Sequence, residues 1–178
     1  MKAIRLIALA ACMAATLDAS AQEQEIRLFS HRGGRMEHDE NTFSAFQASY
    51  DAGYRGFETD IRMTRDGALV ITHDSSLERT TNGTGTVEEK TEAEIRQLAT
   101  KQGNKMMFLD ELLEFLEGKE GLYVEFEMKT KPEALYPEER LHAYCDKLYD
   151  AVMAVKPADA TFVFTSGDYR GLRYLQAK

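Results

Sequence analysis

Short runs rich in β-branched and aromatic residues alternate with amphipathic helical segments along this chain, and that order restricts the fold more than any other feature. The clearest strand is Leu122-Tyr123-Val124-Glu125-Phe126-Glu127-Met128-Lys129, where Val124, Phe126 and Met128 share one face and Glu125, Glu127 and Lys129 the other. Similar runs occupy residues 25–30, 56–62, 69–72 and 160–165. Between them lie helical patterns. Asn41-Thr42 starts one that Gly53 ends, Thr91 with Glu94 opens a short one to residue 98, and residues 108–116 close at Gly118. A long helix over 138–155 is stopped by Lys156-Pro157, and Asp168 caps a last short one. Strands alternating with helices predict an α/β fold on parallel strands.

Within that frame the stretch from Gly56 to Asp74 carries unusual chemistry. Glu58, Asp60 and Arg62 share one strand face, with Phe57, Thr59 and Ile61 on the other. Arg65-Asp66-Gly67 is a turn signal, and the returning run through Leu69 ends at Thr72 and His73-Asp74. Other polar residues also stand at strand ends: His31 and Arg32 after the first run, Glu127 and Lys129 in the strand at 122–129. In a parallel α/β barrel the carboxyl ends of the strands converge on one face, so these residues could meet there.

If Glu58, Asp60 and Glu127 converge, each pair of charges about 4 Å apart repels by roughly 4 kcal/mol at an effective dielectric near 20. A hard divalent cation with oxygen ligands, Mg²⁺ or Ca²⁺, relieves that repulsion, whereas no His or Cys cluster has zinc spacing. His31 and His73 suit general acid and base roles near neutral pH. Arg32 and Lys129 could hold an anionic group such as phosphate. Together these outline a site that cleaves a phosphodiester. Taken singly, each feature has a plainer reading: a Glu-x-Asp pair is more often a solvated strand face, and His73-Asp74 more often a turn. His38 and His142 read as surface residues, and Asn82-Gly83-Thr84 reads equally as a sequon or a turn.

Composition narrows the partners and the compartment. With 178 residues, 43% of them hydrophobic, the chain can bury a core as one domain. A net charge of −8, with no basic run interleaved with aromatics, argues against nucleic acid. The basic start Met1-Lys2-Ala3-Ile4-Arg5, the apolar run to Leu17 and the small residues Ala19-Ser20-Ala21 predict a signal peptide over 1–21, leaving a domain over 22–178. The apolar run is well short of the roughly 20 residues a membrane span needs. Export to the periplasm or beyond is therefore expected, with lipidation at Cys12, in Leu9-Ala10-Ala11-Cys12, as the alternative. Once the leader is removed Cys145 is the one cysteine left, so no internal disulfide forms. It falls on the apolar helical stripe of Leu141, Tyr144, Leu148 and Val152.

Taken together the motifs resemble the glycerophosphodiester phosphodiesterase family. The resemblance is carried by His31-Arg32-Gly33, Glu40-Asn41-Thr42 with Ala45-Phe46, Glu58-Thr59-Asp60, Thr64-Arg65-Asp66-Gly67, His73-Asp74, Leu77-Glu78-Arg79-Thr80-Thr81-Asn82-Gly83 and Glu127-Met128-Lys129. It implies a TIM (β/α)₈ barrel of the phosphodiesterase and phospholipase C-like type. It also implies metal-dependent hydrolysis of small-molecule glycerophosphodiesters to glycerol 3-phosphate and an alcohol. By position Glu58, Asp60 and Glu127 would ligate Mg²⁺ or Ca²⁺, and His31 and His73 would be acid and base. Arg32 and Lys129 would contact phosphate, with Glu40 and Asn41 in support.

Three departures from the family pattern stand out. Asp39 replaces a proline, Ser166-Gly167 replaces Ser-Phe, and the chain ends soon after its fifth strand although such barrels take about 250 residues. The expectation is an incomplete barrel of about the first five strands, with an unclosed edge open to self-association. The competing reading is an inactive barrel that binds a cation or a phospholipid headgroup without turnover. A related phospholipase acting at membranes would need an apolar membrane-facing loop, which the sequence lacks.

Overall fold

In the computed structural model, which describes residues 27–178, five strands form one sheet: β1 (Phe29–His31), β2 (Gly56–Met63), β3 (Leu69–Ile71), β4 (Tyr123–Met128) and β5 (Thr161–Thr165). The path β1-β2-β4-β5 is parallel throughout, and β3 turns back antiparallel on the end of β2. Parallel neighbours that follow chain order, with no reversal, build a barrel wall rather than a doubly wound sheet. The predicted leader over 1–21, Cys12, and residues 25 and 26 of the first expected strand lie outside the described residues.

The helices are α1 (Phe43–Asp51), α2 (Glu92–Ile95), α3 (Leu109–Leu116), α4 (Glu138–Val155) and α5 (Tyr169–Gln176). Their starts have local causes. Thr42 Oγ1 accepts the Ala45 amide at α1, Thr91 and Glu94 cap α2 reciprocally, and Asp168 accepts the Arg170 amide at α5. At α3 Glu111 reaches back to the Phe108 amide, 2.7 Å away, so Phe108 precedes the helix instead of starting it. The helix at 91–98 is shorter than its periodicity predicts. Bridges from Ala99 to Lys105 and from Thr81 to Thr100 draw the chain away after Ile95.

The main core lies between the sheet and its helices. Phe57 and Ile61 of β2, and Val124, Phe126 and Met128 of β4, are buried against Phe46, Phe115, Leu112, Tyr144 and Leu148. Cys145 is buried there as its helical stripe predicts. Burying each large apolar side chain contributes roughly 1.5–3 kcal/mol. A second, smaller cluster of Val70, Leu77, Val87, Ile95, Met106 and Phe108 gives the excursion between β2 and α3 its own support. That excursion carries His73, Asp74 and Arg79. Among the described residues no helix is long and apolar enough to cross a membrane.

Candidate active site

Strand register sets the centre of the site. His31 lies opposite Glu58 across β1 and β2, and Asp60 opposite Glu127 across β2 and β4. One carboxylate oxygen from each of Glu58, Asp60 and Glu127 lies within 4.8 Å of the others. At that separation each ionised pair repels by about 3.5 kcal/mol at an effective dielectric near 20. Burial is severe on β2: Asp60 is fully buried and Glu58 is 8% exposed. Burial first, and then the charge of Asp60, raise the Glu58 carboxyl to about 7.

Basic and amide groups offset part of this negative charge. Lys129 Nζ stands 2.6 Å from Glu127 Oε1 and 3.1 Å from Asp60 Oδ1, and Asn41 Nδ2 donates to Asp60 Oδ2 at 2.9 Å. Arg32 turns inward. Its amide donates to Glu58 Oε2 at 3.0 Å, while its guanidinium lies 3.2 Å from Asp60 and donates to Glu40 at 3.1 Å. Both cations expected to face phosphate are thus engaged with carboxylates, Arg32 almost wholly buried and Lys129 less so.

This arrangement depends on an unusual loop after β1. Arg32 and Asn41 have φ of 53° and 58°, a left-handed conformation uncommon for an arginine and more readily adopted by an asparagine. Gly33 follows at φ 73°, and a Cβ there would lie 3.1 Å from Ala45 Cβ and from the Phe46 amide nitrogen. The His31-Arg32-Gly33 turn therefore sits directly on α1.

The histidines enter from different strands. His31 Nε2 is 3.6 Å from Glu58 Oε2, and the side chain is half exposed. Burial, then the cations Arg32 and Arg35, hold it below its ordinary pKa. His73 pairs through Nδ1 with Asp74 Oδ1 at 2.6 Å. Burial opposes ionisation of Asp74, but hydrogen bonds from Arg79 and His73 bring its carboxyl down to about 2. At neutral pH that carboxylate can only accept, so Nδ1 carries the ring proton and Nε2 is the basic atom. The residues singled out from sequence (His31, Arg32, Glu40, Asn41, Glu58, Asp60, His73, Glu127 and Lys129) belong to this one region and its loops.

Sequence reasoning left out the groups underneath. Arg62 donates to the His73 carbonyl at 2.9 Å, to the Lys129 carbonyl at 3.1 Å and to Glu88 at 2.8 Å, so it ties the ends of β2, β3 and β4 together. Tyr136 OH donates to Glu88 and accepts from the Met63 amide. Arg62 was visible as the third polar residue on the Glu58 and Asp60 face; Glu88 gave no signal. Arg79 fell within a recognised motif, but its partners Glu40 and Asp74 could not be paired from spacing. His142, read as a surface residue, is half buried and stacks on Tyr174 at 3.9 Å.

A hard divalent cation fits this donor set. Glu58 Oε1 and Asp60 Oδ1 are buried without a hydrogen bond, and Lys129 approaches Asp60 Oδ1 off the line of one. Three carboxylates with no sulfur or imidazole donor in the cluster make an all-oxygen set that suits a hard cation.

Comparison with known proteins agrees with this geometry. The family model described as "Glycerophosphoryl diester phosphodiesterase family" matches residues 31–178. A glycerophosphodiester phosphodiesterase of Caldanaerobacter subterraneus subsp. tengcongensis is 37% identical over 123 residues, covering 64% of this chain and 50% of its own length. A glycerophosphodiester phosphodiesterase structure from Agrobacterium tumefaciens superposes with TM-score 0.69 at 29% identity, covering 86% of this chain and 63% of that one. An Oleispira antarctica phosphodiesterase, solved in complex with the product sn-glycerol-3-phosphate, superposes with TM-score 0.75 at 26% identity, covering 85% and 62%. The chain spans about half the length of the curated relatives it matches. Its fold is a partial TIM barrel of the kind those structures have.

Proposed function

Since the chain belongs to the glycerophosphoryl diester phosphodiesterase family, we propose that its site hydrolyses glycerophosphodiesters to glycerol 3-phosphate and an alcohol, with Mg²⁺ or Ca²⁺ held by Glu58, Asp60 and Glu127. The observation that carries this reading is the gathering of three carboxylates within 4.8 Å beside His31, whose Nε2 is 3.6 Å from Glu58. The product bound in the Oleispira antarctica relative supports glycerol 3-phosphate as the product here.

When bound, the cation supplies Lewis-acid polarisation of the phosphoryl oxygens and neutralises charge developing on them. The chain's own residues move the protons. His73, with Nδ1 engaged by Asp74, takes onto Nε2 a proton from the water molecule whose oxygen attacks phosphorus. As the phosphorus–oxygen bond to the alcohol breaks, His31 gives a proton to the leaving oxygen. Lys129 and Arg32 bring positive charge to the edge of the cluster where the phosphate would lie, and Glu40 and Asn41 hold Arg32 and Asp60 in place. The leader over 1–21 would deliver this activity outside the cytoplasm.

The test is release of glycerol 3-phosphate from glycerophosphocholine or glycerophosphoethanolamine by the full chain with Mg²⁺ or Ca²⁺. Chelator should abolish it. Activity that survives both chelation and the double change Glu58→Ala, Asp60→Ala would sink the mechanism.

One observation favours a second reading. Among the described residues strands β1 and β5 each pair on one side only, so the described wall is open at both edges. In that reading the chain binds a cation or headgroup without turnover and is free to self-associate through those edges. Calorimetric Ca²⁺ or Mg²⁺ binding with no product release would select it.

A further inference from the structure

The loops after β1 and β3 carry the two histidines, and one side chain joins them. Arg79 presents Nη1 and Nη2 to the two oxygens of Glu40, at 3.0 and 2.7 Å, and turns Nε to Asp74 Oδ2. The other oxygen of Asp74 takes His73 Nδ1, and Glu40 Oε1 also accepts from Arg32 Nη1, the residue after His31. A continuous line of ion pairs thus runs from His73 through Asp74, Arg79 and Glu40 to Arg32. Planar guanidinium geometry suits this double engagement, since one face of the fork matches a carboxylate while Nε stays free for a second partner.

Asp74 has no other side-chain donor holding it among the described residues. Burial acts against its charge, and Arg79 is the main group offsetting that cost. Without Arg79 the carboxylate would be free to rotate toward solvent, and Nδ1 of His73 would lose its fixed acceptor. The imidazole would then distribute its proton between both nitrogens. Arg79 itself is half exposed at the rim.

We propose that Arg79 is a positioning residue for the reaction, clamping Asp74 against His73 Nδ1 so that Nε2 remains the basic atom, and fixing the spacing of the two histidine loops through Glu40. The inference rests on the reading of His73 as the proton acceptor. In the step it serves, the attacking oxygen loses its proton to Nε2, Nδ1–H stays on the ring, and Asp74 remains ionised beside the imidazolium formed.

The experiment compares wild type, Arg79→Met and Arg79→Lys as full chains. Ring-nitrogen NMR above the histidine titration range reads the His73 tautomer, with the signals assigned by their loss in His73→Gln. The wild type should hold the Nδ1–H form, Arg79→Met should show a mixture, and Arg79→Lys, which keeps the charge without the fork, should fall between. In glycerophosphocholine turnover, Arg79→Met should lower kcat roughly 10- to 100-fold, the scale of a support behind an acid–base group, with KM within about twofold.

An unchanged tautomer in Arg79→Met overturns the proposal. So does a raised KM at unchanged kcat, which would make Arg79 a substrate contact. A tautomer shift with kcat unaltered supports the clamp and instead sinks the acid–base reading of His73. Should Arg79→Met fail to fold, as judged by exposure of the buried Cys145 thiol, the Arg79→Lys comparison decides.

Discussion

Replacing Glu58 by glutamine tests how the carboxylate cluster is held. Glu58 is 8% exposed, and its carboxyl is raised from 4.5 to about 7, by burial first and Asp60 second. The folded protein therefore binds this proton more tightly than the unfolded chain does. Its contribution is fully stabilising below about pH 4.5 and is lost as the pH rises through about 7. A difference of about 2.5 pH units at 1.36 kcal/mol each sets the loss at roughly 3 kcal/mol by pH 8. The amide introduced by Glu58→Gln would still accept from the Arg32 amide while carrying no charge, so the metal-free variant should exceed the wild type by about 1–3 kcal/mol at pH 8 and match it near pH 4. Urea unfolding at the two pH values measures this. No gain at pH 8, or an equal gain at both, would refute the reasoning. The same group links metal to protons. Because the ligand must be ionised, Ca²⁺ or Mg²⁺ binding should release close to one proton at pH 6 and about a tenth of one at pH 8. Calorimetry in two buffers of different ionisation enthalpy reads that number, and proton release independent of pH over this range would contradict it.

Two further outcomes follow from groups outside the cluster. Arg62→Met removes the cation paired with the buried Glu88 carboxylate, leaving it only the Tyr136 and Ser75 hydroxyls, and releases the His73 carbonyl, which should cost about 3–5 kcal/mol in urea unfolding. A loss under about 1 kcal/mol would show that Glu88 finds another partner, and adding Glu88→Gln should recover part of the loss. The Cys145 thiol, pushed up by burial to about 11, should resist an aromatic disulfide reagent at pH 8 until the chain unfolds; rapid labelling of Cys145 itself in the native protein would count against this core.

The elements of the wall could be read from sequence because their causes are local. The helix at Glu138–Val155 follows from an apolar stripe and a proline stop, and the strand at Tyr123–Met128 from strict alternation. Tertiary bridges decided the places where reading fell short. The second helix ends at Ile95 because Ala99 and Thr100 are bonded across the excursion, which no helical periodicity records. The first strand ends on His31, not before it, because its register is set by Gly56 to Glu58 of its neighbour.

The same division explains the site. Glu58 and Asp60 are two apart on one strand, so their shared face follows from the pleat, and a parallel neighbour in register brings Glu127 beside Asp60. Nothing so simple specifies where a flexible cation goes. Arg32 reads as a phosphate contact because it stands at a strand end beside His31, yet a φ of 53° turns its backbone and sends its guanidinium inward to Glu40 and Asp60. Of its two carboxylate partners, Glu40 is itself anchored by Arg79, from a loop 39 residues further on. The carboxylate cluster is thus a property of the sheet, whereas the setting of its two histidines is a property of loop-to-loop ion pairing. Perturbing Arg79 should accordingly disturb His73 while leaving the metal affinity of Glu58, Asp60 and Glu127 nearly unchanged.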